Sequence, residues 1–185
     1  MRCFIALELD DEIKQRLETA QGWFKEVRGK IGWTNRSQMH LTLKFMGEVA
    51  EDRVSAIVDM MRGAARQVPV FEICVEGLGA FPPSGTPRVL WAGIKTCSSL
   101  SALQGLIERG CGELGFSPED REFSPHLTLG RIKERIDGAA CRRVLQEHQG
   151  FSAGIQSVRR VILFSSRLQP TGAVYTAVAE AELGL

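Results

Sequence analysis

The string His-Leu-Thr-Leu occurs twice, at residues 40–43 and again at 126–129, in a chain that holds only three histidines. No other feature constrains the fold as strongly. His126 stands 86 residues after His40, and the same offset carries Arg2 onto Arg88, Ala6 onto Ala92, Leu17 onto Leu103 and Val58 onto Val144. One offset that registers several elements in order is the mark of an internal duplication, a supersecondary unit copied along the chain. The expected repeats cover residues 1–76 and 88–165. A glycine- and proline-dense link from Gly77 to Pro87 joins them, and a last strand over 174–181 follows.

Within each repeat the pattern alternates between strand and helix. Arg2 to Leu9 reads as a strand, followed by a helix that Asp10 or Asp11 can cap and that carries Ile13, Leu17, Ala20, Phe24 and Val27 down one face. A loop containing Gly and Asn leads to a strand over Met39 to Met46, with His40, Thr42 and Lys44 on one face and Leu41, Leu43 and Phe45 on the other. Glu51 to Ala65 is helical and Val68 to Val75 extended. The second half repeats this order with strands at 88–94, 126–131 and 155–165 and helices at 98–114 and 137–149. The fold expected is α+β and bilobal: two pseudo-symmetric lobes, each with an antiparallel sheet and helices, and a cleft between them. At 185 residues the chain is long enough to give both lobes a core.

Charge narrows the function. Lys and Arg number 23 against 22 Asp and Glu, a balance unlike that of proteins held on long duplex nucleic acid by a basic face, though it leaves room for a small phosphate-bearing ligand. The N-terminus reaches Asp10 and Asp11 with no apolar run of signal or membrane length, so the expected location is cytoplasmic. Five cysteines, odd in number and never close in sequence, form neither a disulfide framework nor a CxxC metal pair.

The chemistry lies in the repeated string. Residues i and i+2 of a strand share a face, so the imidazole of His40 stands beside the hydroxyl of Thr42, with Leu41 and Leu43 anchoring the other side; His126 and Thr128 repeat this. Brought together across a cleft, two imidazoles with pKa values near neutrality divide general base and general acid duty at one phosphorus, while the hydroxyls donate to its non-bridging oxygens. Core packing does not require His and Thr to recur at one offset in halves that otherwise diverge. The two strings are identical, so the residues alone leave open which histidine is acid and which is base.

Other signals carry less. Lys44 is either a solvated lysine or an electrostatic attractor for phosphate, and Arg131, ending the second strand, is the better candidate for a backbone phosphate or base contact because a guanidinium binds phosphate as a planar fork. Trp33, Phe45, Phe81 and Phe123 are available for base stacking, with Phe45 expected in the core; Arg159 with Arg160, or Lys133 with Arg135, can form a basic rim. His148 has no partnering Thr and is expected to face solvent. Gly110 to Gly115 spells GxGxxG, but at the end of a helix rather than between a strand and a helix, so it reads as a helix stop and not a dinucleotide site.

With these strings in place, "RCFIALEL" at the start, "HLTLKFMGEV" from His40, "RVLWAGI" from Arg88, "FSPHLTLGR" from Phe123 and "SRLQPTGAVYT" from Ser166 together resemble the two-histidine phosphoesterase superfamily. The resemblance is closest to its RNA 2′,3′-cyclic phosphodiesterase branch, also called the 2′-5′ RNA ligases, and spans nearly the whole chain. It implies opening of an RNA terminal 2′,3′-cyclic phosphate to a 2′-phosphate, a reversible 2′-5′ joining activity, and no metal or other cofactor. It makes His40 the proton donor, His126 the proton acceptor, and Thr42 and Thr128 phosphate ligands. The partners expected are RNA ends or small nucleotides bearing a cyclic phosphate, with no membrane, and the chain is expected to act as a monomer. Two rival readings are a phosphodiesterase for another small cyclic or 2′-5′-linked nucleotide, and a non-catalytic module that binds nucleotides or RNA ends.

Overall fold

The computed structural model describes residues 1–169 and 172–184, so Pro170 and Thr171 of the last quoted motif lie outside the described residues. Among the described residues, nine strands and four helices follow in the order β1 (Arg2–Glu8), α1 (Asp11–Gly22), β2 (Ile31–Trp33), β3 (His40–Glu48), α2 (Val54–Ala65), β4 (Phe71–Phe81), β5 (Val89–Ile94), α3 (Ser98–Glu113), β6 (His126–Ile132), α4 (Gly138–Glu147), β7 (Ser152–Val158), β8 (Arg160–Gln169) and β9 (Gly172–Glu182). They build two antiparallel sheets, β3-β1-β8-β9 and β2-β6-β5-β4-β7, here sheet A and sheet B. The α+β, two-lobed class read from the sequence is the class observed.

Each sheet draws on both halves of the chain. β4 follows α2 yet pairs with β5 in sheet B, and β8 crosses back to pair with β1 in sheet A. The helices follow suit: α2 packs on β8 and β9 and α3 on β3, whereas α1 packs on β6 and β7. The span 155–165, expected as one extended segment, is two strands in different sheets, with the crossing at Arg159.

The expected link over 77–87 is mostly strand, since β4 continues to Phe81. Its glycines serve a close approach. A Cβ on Gly79 would fall inside the Trp91 indole, which lies against β4 at that point. β2, only three residues long, sits in what reads from sequence as a loop. α1 ends at Gly22, and Phe24 and Val27, buried as their spacing suggests, stand in the turns that follow. Asp10 occupies the N-cap of α1 without a side-chain bond, its N–H donating to the Gln156 side chain, whereas Asp137 caps α4 by accepting from Ala139 and Ala140. Gly115, with φ of +81°, lies just past α3, so GxGxxG closes a helix.

The core forms where strands turn one face to helices. In sheet A, Cys3, Ile5, Leu7, Leu41, Leu43 and Leu163 pack under α2 and α3 through Ile57, Met61, Leu100, Leu103 and Ile107. Of the five cysteines, all free, Cys3, Cys111 and Cys141 are buried as small apolar residues. The opposite faces of the two sheets, turned away from the helices, line the groove between the lobes.

Candidate active site between the two sheets

β3 and β6, one from each sheet, approach each other across that groove. Both strands hold their polar pair by the same local structure. Over seven residues from the histidine their burial is identical: His half-buried, Leu buried, Thr half-buried, then two buried residues and one exposed. Two consecutive inward residues break simple alternation, and the register shows why. Ala6 pairs with Thr42 and Ile5 with Lys44, leaving Leu43 as an extra residue; Trp91 pairs with Thr128 and Leu90 with Gly130, leaving Leu129 extra. A β-bulge therefore follows each threonine, turning the strand so that the groove face resumes three residues on rather than two. In β6 the bulge is pinned, its Leu129 carbonyl accepting from Gln21 Nε2 at 2.9 Å and from the Thr34 N–H at 2.9 Å.

The bulge overturns two expectations. Lys44 does not share the face of His40. It is buried, its Nζ donating to Glu108 Oε1 at 2.7 Å and to the Ser117 carbonyl at 2.8 Å, so it binds α3 to β3 and is neither solvated nor open to phosphate. Phe45 takes the groove position and is 45% exposed, with the Arg2 guanidinium 5.6 Å from its ring centre. Arg131 is the equivalent residue of β6, exposed on the groove side. The offset of 86 holds for β3 and β6 but not for the first strands. Ala6 faces Thr42 and Trp91 faces Thr128, an offset of 85, so the match of Ala6 with Ala92 is a slip of one residue.

His40 lies in an aromatic enclosure. Its ring centre is 4.7 Å from Phe4, 5.2 Å from Tyr175 in an edge-on arrangement and 6.3 Å from Phe164. Burial pushes its pKa from 6.5 down to about 4, opposed by the backbone of Gln38, two residues earlier, and assisted by the charge of Lys14. The Nδ1 of His126 lies 2.7 Å from the Ser124 carbonyl, also two residues earlier, and its ring is edge-on to Phe81 at 5.1 Å. A carbonyl only accepts, so Nδ1 of His126 carries a hydrogen and a neutral ring offers its lone pair at Nε2.

Beside His126 a hollow of about 300 Å³ is lined by Phe81, Trp91, Lys95, Thr96 and Ser124, and the buried Trp91 Nε1 has no acceptor among the described residues. A second hollow, about 400 Å³, lies on the far side of sheet B against α1 and is remote from the HxT strands. His148 borders it and stacks flat on Trp23 at 3.7 Å, so it is not the solvent-facing residue expected. Trp33 packs against Gly130 and Phe24, Phe123 is half-buried, and Arg160 is tied to Glu8 and Glu180, which takes Arg160 out of a free basic rim. The groove residue that sequence reasoning overlooked is Tyr175. It is the chain's single tyrosine, and the alternation of the last strand was the signal that could have placed it. Among the described residues no three His, Cys, Asp or Glu side chains cluster as a metal site, and no helix is long and apolar enough to cross a membrane.

Several known proteins are similar to this chain over nearly its whole length. The RNA 2′,3′-cyclic phosphodiesterase of Methanothermobacter thermautotrophicus is 32% identical over 176 residues, 95% of each chain. That of Thermotoga maritima is 34% identical over 183 residues, 98% of this chain and 95% of its own. The crystal structure of TT0787 from Thermus thermophilus superimposes with a TM-score of 0.83 at 29% identity, covering 99% of this chain and 98% of that one. The profile of the 2′-5′ RNA ligase superfamily matches residues 9–167, and with both HxT strands inside that span the chain belongs to this superfamily.

Proposed function

We propose that this chain is an RNA 2′,3′-cyclic phosphodiesterase that opens the terminal cyclic phosphate to a 2′-phosphate with His40 and His126 as its proton-transfer pair. One observation carries the reading: the same His-x-Thr pair, followed by the same bulge, on two strands that approach each other from opposite sheets. Packing alone does not call for that repetition, whereas acid–base catalysis at one phosphorus does.

In the reaction, water attacks phosphorus in line with the 3′-oxygen. The water proton passes to Nε2 of His126 as the new P–O bond forms, and His40 delivers its proton to the departing 3′-oxygen as that bond breaks. Thr42 and Thr128 donate to the non-bridging oxygens, where charge accumulates, and the Arg131 guanidinium adds a fixed positive charge. Solvent then resets both imidazoles. Run in the same direction with a 5′-hydroxyl in place of water, the same transfers join RNA ends through a 2′-5′ bond, and run backwards they cleave that bond and re-form the cyclic phosphate.

The enclosure of His40 bears on this assignment. With its pKa near 4, His40 is neutral at pH 7, and an anionic phosphodiester seated against it is what favours its charged form. The exchanged assignment, with His40 as acceptor, is the one that burial alone favours. A cyclic substrate with sulfur in place of the 3′-oxygen separates the two, because a thiolate leaves without an acid. Rescue of His40→Ala but not His126→Ala by that substrate supports the first assignment, and the opposite pattern supports the second.

The activity itself is tested by incubating the protein with a nucleoside 2′,3′-cyclic phosphate in EDTA and following the product by phosphorus NMR. We expect a 2′-phosphate and a loss of at least about 10²-fold in either histidine variant. A folded protein without turnover would point to the binding-module reading. The reading extends to a cytoplasmic monomer descended from a duplicated unit, which the free cysteines and the recurrence of bulge and burial pattern support.

A further inference from the structure

β3 and β9 are opposite edges of sheet A, about 14 Å apart for a flat sheet of four strands. Tyr175 of β9 nevertheless brings its ring centre to 5.2 Å from His40 and 4.9 Å from Phe4. The sheet curls to allow this. Its β8–β9 register slips between Leu163 and Phe164, and near the start of β9 the Ala173 carbonyl accepts from the Gln38 side chain just ahead of β3. The start of β9 is thus brought towards β3, and Tyr175 with it.

Packing accounts for the ring but not for the hydroxyl, which makes no hydrogen bond among the described residues although the side chain is half-buried. The charged groups that act on it are Arg131, from the other sheet, and Arg2, both cationic. A phenol whose ring lies 5.2 Å from that of His40, and which feels the positive charge of both Arg131 and Arg2, is placed for an anion. Resting on the phosphodiesterase reading above, we propose that Tyr175 is a further ligand of the reacting phosphate, its hydroxyl donating to a non-bridging oxygen alongside Arg131. Burial pushes the phenol pKa up against the pull of Arg131 and Arg2, so it remains a donor at neutral pH. The ring has a separate duty: it closes the enclosure of His40.

The experiment uses two variants and inorganic phosphate as probe. Tyr175→Phe keeps the ring and removes the hydroxyl. We expect its affinity for phosphate to fall about 10-fold and its kcat/KM on a nucleoside 2′,3′-cyclic phosphate about 10- to 100-fold, the range for loss of one donor to a charged oxygen. The titration of His40, read on its ring proton by NMR, should stay near that of the wild type. Tyr175→Leu opens the enclosure as well and should move that titration upward. Because the chain has one tyrosine, a carbon-13 label at its Cζ gives one resonance, which should shift when phosphate is added to the wild type. Phosphate binding to Tyr175→Phe as tightly as to the wild type, or a Cζ resonance that ignores phosphate, overturns the proposal. A wild type that binds phosphate and shifts Cζ but does not turn over the cyclic substrate refutes the phosphodiesterase reading and leaves Tyr175 as an anion ligand.

Discussion

Replacing Lys44 by Met separates its two candidate roles. The side chain is 1% exposed and its ammonium spends its hydrogen bonds on Glu108 and the Ser117 carbonyl. Met retains most of the buried stem and deletes the charge. What remains is Glu108, whose Oε2 is buried without a partner and whose Oε1 keeps only the Glu119 N–H at 3.0 Å. Removing one member of a buried pair costs about 3–5 kcal/mol because the other is stranded. Glu108 is 23% exposed and can recruit some water, so the lower end, about 3 kcal/mol, applies here. For a chain of this size that is a fall in Tm of about 6–12 °C, measurable by circular dichroism or calorimetry. Replacing both partners with apolar residues of similar volume, Lys44→Met with Glu108→Leu, should recover most of the loss. Among molecules that remain folded, KM for a cyclic nucleotide should be unchanged. A Lys44→Met protein with wild-type stability but a raised KM would return Lys44 to the groove and refute the bulge.

Three more outcomes follow from the same geometry. The depressed pKa of His40 means that the unfolded chain binds a proton the folded one refuses, so stability from this group is intact above pH 6.5, falls as pH drops towards about 4, and changes no further below that; the total is about 3 kcal/mol. Urea titrations at several pH values should show that slope in the wild type and lose it in His40→Gln, and parallel curves would contradict the enclosure. Gly79→Ala drives a methyl into Trp91 and should cost about 1–3 kcal/mol, with a change in tryptophan emission as the indole is displaced. Phe45→Ala should leave stability nearly unchanged while weakening binding of a short single-stranded RNA by about 1–3 kcal/mol, as expected for loss of a stacking face, and an unaltered affinity would remove Phe45 from the RNA path.

The repeated string and the order of elements made the two lobes and the two His-x-Thr strands readable from sequence, because periodicity and identity are local signals. What resisted reading was everything set by one strand against another. A bulge has no composition of its own: Leu43 and Lys44 look like ordinary alternation until pairing with Ile5 and Ala6 shows one residue too many. The slip of one residue between β1 and β5 is invisible for the same reason, since arginine and alanine recur often enough to align by accident. The glycines of β4 resemble a linker because the partner they make room for, Trp91, stands twelve residues further on. His148 resembles a surface histidine because Trp23, on which it lies, belongs to the far end of the sequence.

The exchange of strands between sheets bears on how the groove keeps its width. Had each half folded on its own, two units of under 100 residues would meet only at a surface, with small cores and freedom to rock. Instead β4 takes the chain from sheet A's helices into sheet B, and β8 brings it back to lie beside β1. Gln156 of β7 clasps the junction after β1, accepting from the Asp10 N–H and donating to the Glu8 carbonyl. Opening the lobes would break sheet hydrogen bonds or strain these crossings, so the separation of β3 and β6 is set by backbone pairing rather than by side chains. On the mechanism proposed above, a phosphate bound between them would meet donors already in place, which is the condition for electrostatic stabilisation without reorganisation.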